Sequence, residues 1–146
     1  MGRHVAVPPR SAWRAELRAK GFRVTPQRQL VLEAVGELGH ATPDEIDGAV
    51  RQVASGVNIS TVYRTLELLE ELGLVQHTHL GHGAPTYSLA TEDNHVHLVC
   101  RGCGHVFEVS PEILGPAVER LASEQGFRVD VGHLSVFGTC VRCAQN

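Results

Sequence analysis

The four cysteines stand as two CxxC pairs, Cys100-Arg101-Gly102-Cys103 and Cys140-Val141-Arg142-Cys143, and no cysteine lies outside them. A CxxC turn converges two thiolates on one side of a tight loop, and two such turns complete a tetrahedral zinc site with no open position. Gly102 and Gly104 suit the backbone of the first turn. Such a site is structural: it ties the end of the chain back to a strand forty residues earlier. Two disulfides and a redox-active CxxC are the other chemistries this pattern allows. Residues 1–10 carry charges and two prolines where an export signal has an apolar run. The expected compartment is therefore the reducing cytoplasm, where thiols hold metal rather than pair with one another.

A formal net charge of −3 over 146 residues looks unsuited to a polyanionic partner until it is divided along the chain. Residues 1–28 hold seven basic residues (Arg3, Arg10, Arg14, Arg18, Lys20, Arg23, Arg28) against one acid, Glu16, a net of +6. Residues 91–146 hold four basic residues against seven acids, a net of −3. The basic end suits phosphates and the acidic end suits cations, although a solvated helix face carries such charges too. No window approaches 18 consecutive apolar residues, so no membrane span is expected.

Hydrophobic periodicity divides the chain in two. Trp13 and Leu17 lie on one face of a short helix that Gly21 ends. Thr25-Pro26-Gln27-Arg28 supplies an N-cap and a proline at the first helical position, and Leu30, Val31, Ala34, Val35 and Leu38 follow at helical spacing. Thr42-Pro43-Asp44-Glu45 is a capping box opening a third helix with the stripe Ile46, Ala49, Val50 and Val53. A fourth helix starts near Ser60 and turns Val62, Leu66, Leu69 and Leu72 inward. Beyond Gly73 the period falls to two, and residues 74–80 and 84–89 flank Gly81-His82-Gly83 as a hairpin.

Helices followed by a hairpin predict a winged helix-turn-helix domain over residues 1–90. Polar residues 91–94 predict a hinge, and residues 95–146 a small α/β dimerisation domain. In that domain strands are expected over His95–Cys100 and His105–Val109, a helix over Pro111–Gln125 and a long strand over Phe127–Phe137. The fold class is α+β (mixed α/β). The second domain is too small to bury much core alone, so metal or a second subunit must complete it.

Nine histidines exceed what packing requires. His77-Thr78-His79 and His95-Val96-His97 are i, i+2 pairs in predicted strands, where alternation turns both rings of a pair to one face as a bidentate imidazole chelate. A lone histidine is more often a hydrogen-bonded surface residue than a ligand. Here two pairs accompany a zinc-type site. His40 at a helix end and His133 in the last predicted strand are placed to complete such sites by folding, Glu108 can add an oxygen, and Asp93 lies next to the second pair. His4 reads as tail and His82 as turn.

The stretch Arg23-Val-Thr-Pro-Gln-Arg28, the helix Ile59-Ser-Thr-Val-Tyr-Arg-Thr-Leu66, the strand His95-Val-His-Leu-Val-Cys100 with Cys103, and Phe137-Gly-Thr-Cys140 with Cys143 closely resemble the ferric uptake regulator (Fur) family, in order over about residues 12–143. The resemblance implies a homodimeric, metal-activated repressor whose fourth helix enters the major groove of an inverted-repeat operator. Tyr63 and Arg64 match the family's DNA-contacting pair. Ser60, Thr61, Tyr63 and Arg64 lie where a helix-turn-helix presents side chains to base edges, and Arg23 of the basic end joins them as a DNA contact. Tyr63 suits a thymine methyl, and Arg64 a guanine edge or a phosphate. The competing reading packs Tyr63 in the core and pairs Arg64 with Glu67 or Glu70.

Within the family, the common regulatory site matches His40, His95, His97 and Glu108. The carboxylate that iron and peroxide sensors carry just before this segment is Ser88 here. A further family site interleaves a histidine and an acid with the HxH pair, positions that are Asn94 and Val96 here. The run Gln76-His-Thr-His-Leu-Gly-His-Gly83 resembles the nickel-responsive (Nur) branch, where two hairpin histidines and one from the last strand bind nickel; the matches are His77, His79 and His133. The second site of that branch matches His40, Asp93, His95 and His97, with aspartate where the branch has histidine. Imidazole-rich sites suit Ni, Zn or Cu. The resemblance thus implies a nickel-responsive repressor of metal-homeostasis genes (nickel uptake and superoxide dismutase by analogy), with Ni²⁺ regulatory and Zn²⁺ structural. A peroxide-sensing or zinc/iron-responsive repressor of the same family is the alternative. A closed cysteine site and the lack of HExxH or a nucleophile motif predict no enzyme activity, no small-molecule substrate and no membrane partner.

Overall fold

The computed structural model describes residues 10–90 and 95–145 and divides into two compact units, Met1–Thr91 and Glu92–Asn146. The segment expected to be a hinge, with Asp93 in it, and His4 lie outside the described residues.

The first unit runs α1 (Arg10–Ala19), α2 (Pro26–Leu38), α3 (Pro43–Val53), α4 (Ile59–Glu71), β1 (Val75–Thr78) and β2 (Thr86–Leu89). Capping chemistry sets the starts of α2, α3 and α4. The Thr25 hydroxyl accepts from the Arg28 amide with Pro26 following, and Thr42 and Glu45 close a reciprocal capping box. α4 is capped by Asn58, whose Oδ1 accepts from the Thr61 amide at 3.0 Å, so the helix begins just ahead of the predicted Ser60. Gly21, at φ 81°, reverses the chain after α1, and the Phe22 amide donates to the Leu17 carbonyl at 2.8 Å.

Trp13, Leu17, Leu32, Ile46, Leu66 and Leu69 are all within 1% of complete burial and form the centre of the core. Two residues of the expected stripes are not in it: Val53 is 74% exposed on the last turn of α3 and Leu38 is 44% exposed at the end of α2. β1 and β2 pair antiparallel with His77 opposite Tyr87. Tyr87 also bridges Ala41, exchanging hydrogen bonds of 3.1 and 2.8 Å, and so clips the hairpin to the segment after α2 that carries His40. This is a winged helix-turn-helix.

The second unit holds a three-stranded sheet in the order β4 (Val106–Val109), β3 (Val96–Cys100), β5 (Ser135–Gly138); β3 is antiparallel to β4 and parallel to β5. α5 (Gly115–Gln125) connects the edges, and α6 (Val141–Ala144) closes the chain. Two expectations are corrected here. The helix expected from Pro111 starts as a 3₁₀ turn, Pro111–Leu114, because Pro116 has no amide to offer the Glu112 carbonyl, which takes the Gly115 N–H instead. The long strand over Phe127–Phe137 shrinks to β5, and His133 lies not in a strand but in a 3₁₀ turn, Val131–His133. Asp130 forms this turn: its carbonyl accepts from the His133 amide, and its carboxylate meets His133 Nδ1 at 2.8 Å.

Among the described residues of this unit only Val96, His97, Val99 and Cys100 are buried, while Phe107, Ile113, Leu121, Phe127, Val136 and Val141 are each at least 39% exposed. Among the described residues no helix is long and apolar enough to cross a membrane.

Candidate metal centres and nucleic-acid interface

Cys100 ends β3, Cys103 lies on the following turn, Cys140 caps α6 and Cys143 sits within it. The parallel pairing of β3 with β5 brings these segments together, with Cys100 opposite Gly138. The four sulfurs lie within 4.8 Å of one another. A tetrahedron with Zn–S bonds of about 2.3 Å has S···S edges of about 3.8 Å, and Cys103 Sγ and Cys140 Sγ are 3.9 Å apart. All four cysteines are unbridged. The donor set and spacing therefore fit a closed zinc site.

The electrostatics agree. Backbone N–H groups of Cys140, Cys103 and Gly102 aim at Cys100, the first donating to its Sγ at 3.3 Å, and pull this thiol down to about 6. Cys143 is pushed up to about 12, chiefly by Cys140 and Cys103 beside it. Four sulfurs this close cannot all ionise unaided, and a dication supplies the missing charge. Gly102 is part of the cradle: a β-carbon there would lie 2.9 Å from Cys143 Sγ.

A second donor set lies on the same sheet. His95 and His97 point to one face with ring centroids 4.7 Å apart, and Glu108 on β4 stands opposite His97. His95 Nε2 lies 3.6 Å from Glu108 Oε1, and the donor atoms of His95, His97 and Glu108 fall within 4.8 Å of one another. His97 is fully buried and Glu108 exposed, so the set has a dry end and an open end. A mixed imidazole and carboxylate set fits a first-row divalent metal. His40 is half-buried on the bend after α2 in the other unit.

The wing carries a third group. His77 is on β1 and His79 just past its end, on one face, with ring centroids 5.6 Å apart in a T-shaped arrangement. Glu70, in the last turn of α4, meets His77 Nδ1 through its Oε1. The Tyr87 ring lies 6.1 Å from that of His77. Its phenol is pushed up by burial and by the Glu70 and Glu67 carboxylates. Glu70 was not legible as a partner, since no sequence period links a helix end to a strand seven residues later. His133 sits on the surface of the C-terminal unit with Nδ1 held by Asp130.

On α4, Tyr63 is 43% exposed, and Ser60 and Arg64 are also exposed. Packing Tyr63 in the core is thereby excluded, and Glu70 meets His77. Thr61, Arg64 and Thr65 of α4 line a cleft of about 220 Å³ with Thr25, Gln27 and Arg28 at the start of α2. Arg23, exposed just before it, accepts through its carbonyl from the Arg28 guanidinium. The cleft is thus lined by two arginines and by threonine and glutamine side chains, a polar, basic setting for a phosphate beside a groove-facing helix.

Residues 19–137 match the family model "Ferric uptake regulator family". The ferric uptake regulation protein of Campylobacter jejuni is 34% identical over 131 residues, covering 87% of this chain and 83% of that protein. The peroxide operon regulator of Bacillus subtilis is 31% identical over 130 residues, covering 88% and 89% respectively. Among solved structures, the ferric uptake regulator of Vibrio cholerae superposes with a TM-score of 0.70 at 27% identity, over 87% of this chain and 98% of that one.

Proposed function

The chain belongs to the ferric uptake regulator family, and we propose that, within it, the protein is a nickel-responsive repressor that binds an inverted-repeat operator as a homodimer. As a member of that family it is a metal-dependent transcriptional regulator, not an enzyme, with a zinc-type cysteine site and a His/Glu regulatory site.

One observation carries the nickel reading: the wing places His77 and His79 side by side on one face, a ready imidazole chelate. Imidazole donors suit nickel better than manganese or magnesium, and His133, with Nδ1 held by Asp130, is the third ligand by the motif match. The second site takes His95, His97 and Glu108, with His40, and Asp93 of the undescribed segment, added by the same motif. Bound metal would favour one arrangement of the two DNA-binding units, and differential affinity for that arrangement would drive repression, with DNA tightening metal binding in return.

Tyr63, Arg64, Ser60 and Thr61 are the proposed base-facing group, with Arg23 as a contact to the duplex and the Arg28–Arg64 cleft for a backbone phosphate. The homodimer is supported by the large apolar side chains that the second unit leaves exposed, among them Phe107, Ile113, Leu121, Phe127 and Val136. Nickel-uptake and superoxide dismutase genes are the proposed targets by resemblance. The mixed nitrogen and oxygen set at His95, His97 and Glu108 favours a second reading, in which iron or zinc at that site is the signal, as in a peroxide or zinc sensor.

The test is nickel-activated operator binding by zinc-loaded His77→Ala/His79→Ala protein beside His97→Ala protein. The nickel reading expects the wing variant to lose nickel activation. Full activation of the wing variant, with loss only in His97→Ala, would overturn it in favour of the second reading.

A further inference from the structure

Glu70 and the DNA-facing residues share one helix. Arg64 and Glu70 are six residues apart on α4, about 9 Å along its axis. At its far end the Glu70 carboxylate meets Nδ1 of His77, the wing histidine proposed above as a nickel ligand. A carboxylate accepts, so the proton of this contact sits on His77 Nδ1, and the ring nitrogen left to offer a lone pair is Nε2, away from Glu70. The His79 and Tyr87 rings lie beside it, with centroids at 5.6 and 6.1 Å.

We infer that Glu70 is a positioning residue for the wing metal site: it fixes His77 in the tautomer and orientation that offer Nε2 to the metal, and it joins that ligand to the recognition helix. The inference rests on the reading that His77 binds nickel. A histidine that donates its second nitrogen to a carboxylate is a better-oriented and more basic ligand, and losing such a partner costs about 10- to 100-fold in metal affinity. Because the carboxylate belongs to α4, a metal that tightens the His77 contact also steadies the helix bearing Tyr63 and Arg64. No nickel need touch Glu70.

The experiment titrates the zinc-loaded full-length protein with Ni²⁺ against a competing chelator and records the nickel ligand-field bands. Wild type is compared with Glu70→Ala, Glu70→Gln and His77→Ala, each checked for an unchanged thermal melt. Glu70→Ala is expected to weaken nickel binding at the wing by about 10- to 100-fold and to shift its bands. Glu70→Gln, whose amide oxygen still accepts the Nδ1 proton, should recover most of that loss and the wild-type spectrum. If His77→Ala abolishes the site but Glu70→Ala binds nickel as wild type does, or Glu70→Gln falls as far as Glu70→Ala, the positioning role is wrong while the nickel reading stands. If His77→Ala leaves affinity and bands unchanged, the nickel reading fails and this inference with it.

Discussion

Gly102 and Cys143 approach so closely that a β-carbon on the glycine would lie 2.9 Å from the cysteine Sγ and 3.0 Å from its Cβ. The neighbour is a short, metal-ligating side chain and cannot swing away. Gly102→Ala is therefore expected to push Cys143 off the zinc tetrahedron, costing about 1–3 kcal/mol as an overpacking substitution. Zinc release to a chromogenic chelator should quicken and the melting temperature should fall. Wild-type release would mean that Cys143 is not held where the structure places it.

Zinc binding should strengthen with pH. Cys143, pushed up to about 12, is protonated at pH 7 in the metal-free chain, so zinc must displace its proton. Each displaced proton weakens apparent affinity about tenfold per unit of falling pH. Cys100, lowered to about 6, adds a further proton only below that value, so the slope should steepen there. Chelator competition between pH 5.5 and 8.5 measures this, and a flat profile would refute it.

Tyr63→Ala and Arg64→Ala should each weaken operator binding by about 1–3 kcal/mol if they contact base edges. Arg28→Ala should weaken all sequences alike and reduce the salt slope by about one, as a phosphate contact does. Fluorescence anisotropy at several salt concentrations separates the two classes. An Arg28→Ala variant with an unchanged salt slope would remove the phosphate from the cleft.

Burial orders the helix substitutions. Leu66→Ala, fully buried, is expected to cost about 2–5 kcal/mol, whereas Val53→Ala, 74% exposed, should stay within about 0.5 kcal/mol. Urea unfolding checks both, and comparable losses would place Val53 back in the core.

Much of this molecule is written in local signals. Thr25-Pro26 and Thr42 through Glu45 start helices because their side chains satisfy amides a few residues away, and CxxC spacing is itself the geometry of a metal knuckle. What failed lay where a local pattern needs a distant partner. Phe127, Val129 and Val131 alternate as a strand does, yet of residues 127–138 only Ser135–Gly138 finds a ladder, on β3, and His133 falls in a turn that Asp130 organises. The same holds for Glu70, which reaches His77 only because the chain reverses after α4, and for Arg28, which lines one cleft with Arg64 only once α2 and α4 pack. The His95, His97 and Glu108 set was legible in part: alternation gave the two histidines one face, but the register that sets Glu108 opposite His97 belongs to the fold.

The most direct test is fluorescence anisotropy of the zinc-loaded protein on DNA from its own or a nickel-uptake promoter, with Ni²⁺, Zn²⁺, Mn²⁺ and Fe²⁺ titrated separately at buffered free-metal concentrations. The account predicts tight, sequence-specific binding with nickel, lost in the His77→Ala/His79→Ala protein. Equal activation by zinc, or activation by iron or manganese alone, would contradict the nickel assignment, and sequence-specific binding indifferent to every metal would contradict metal control.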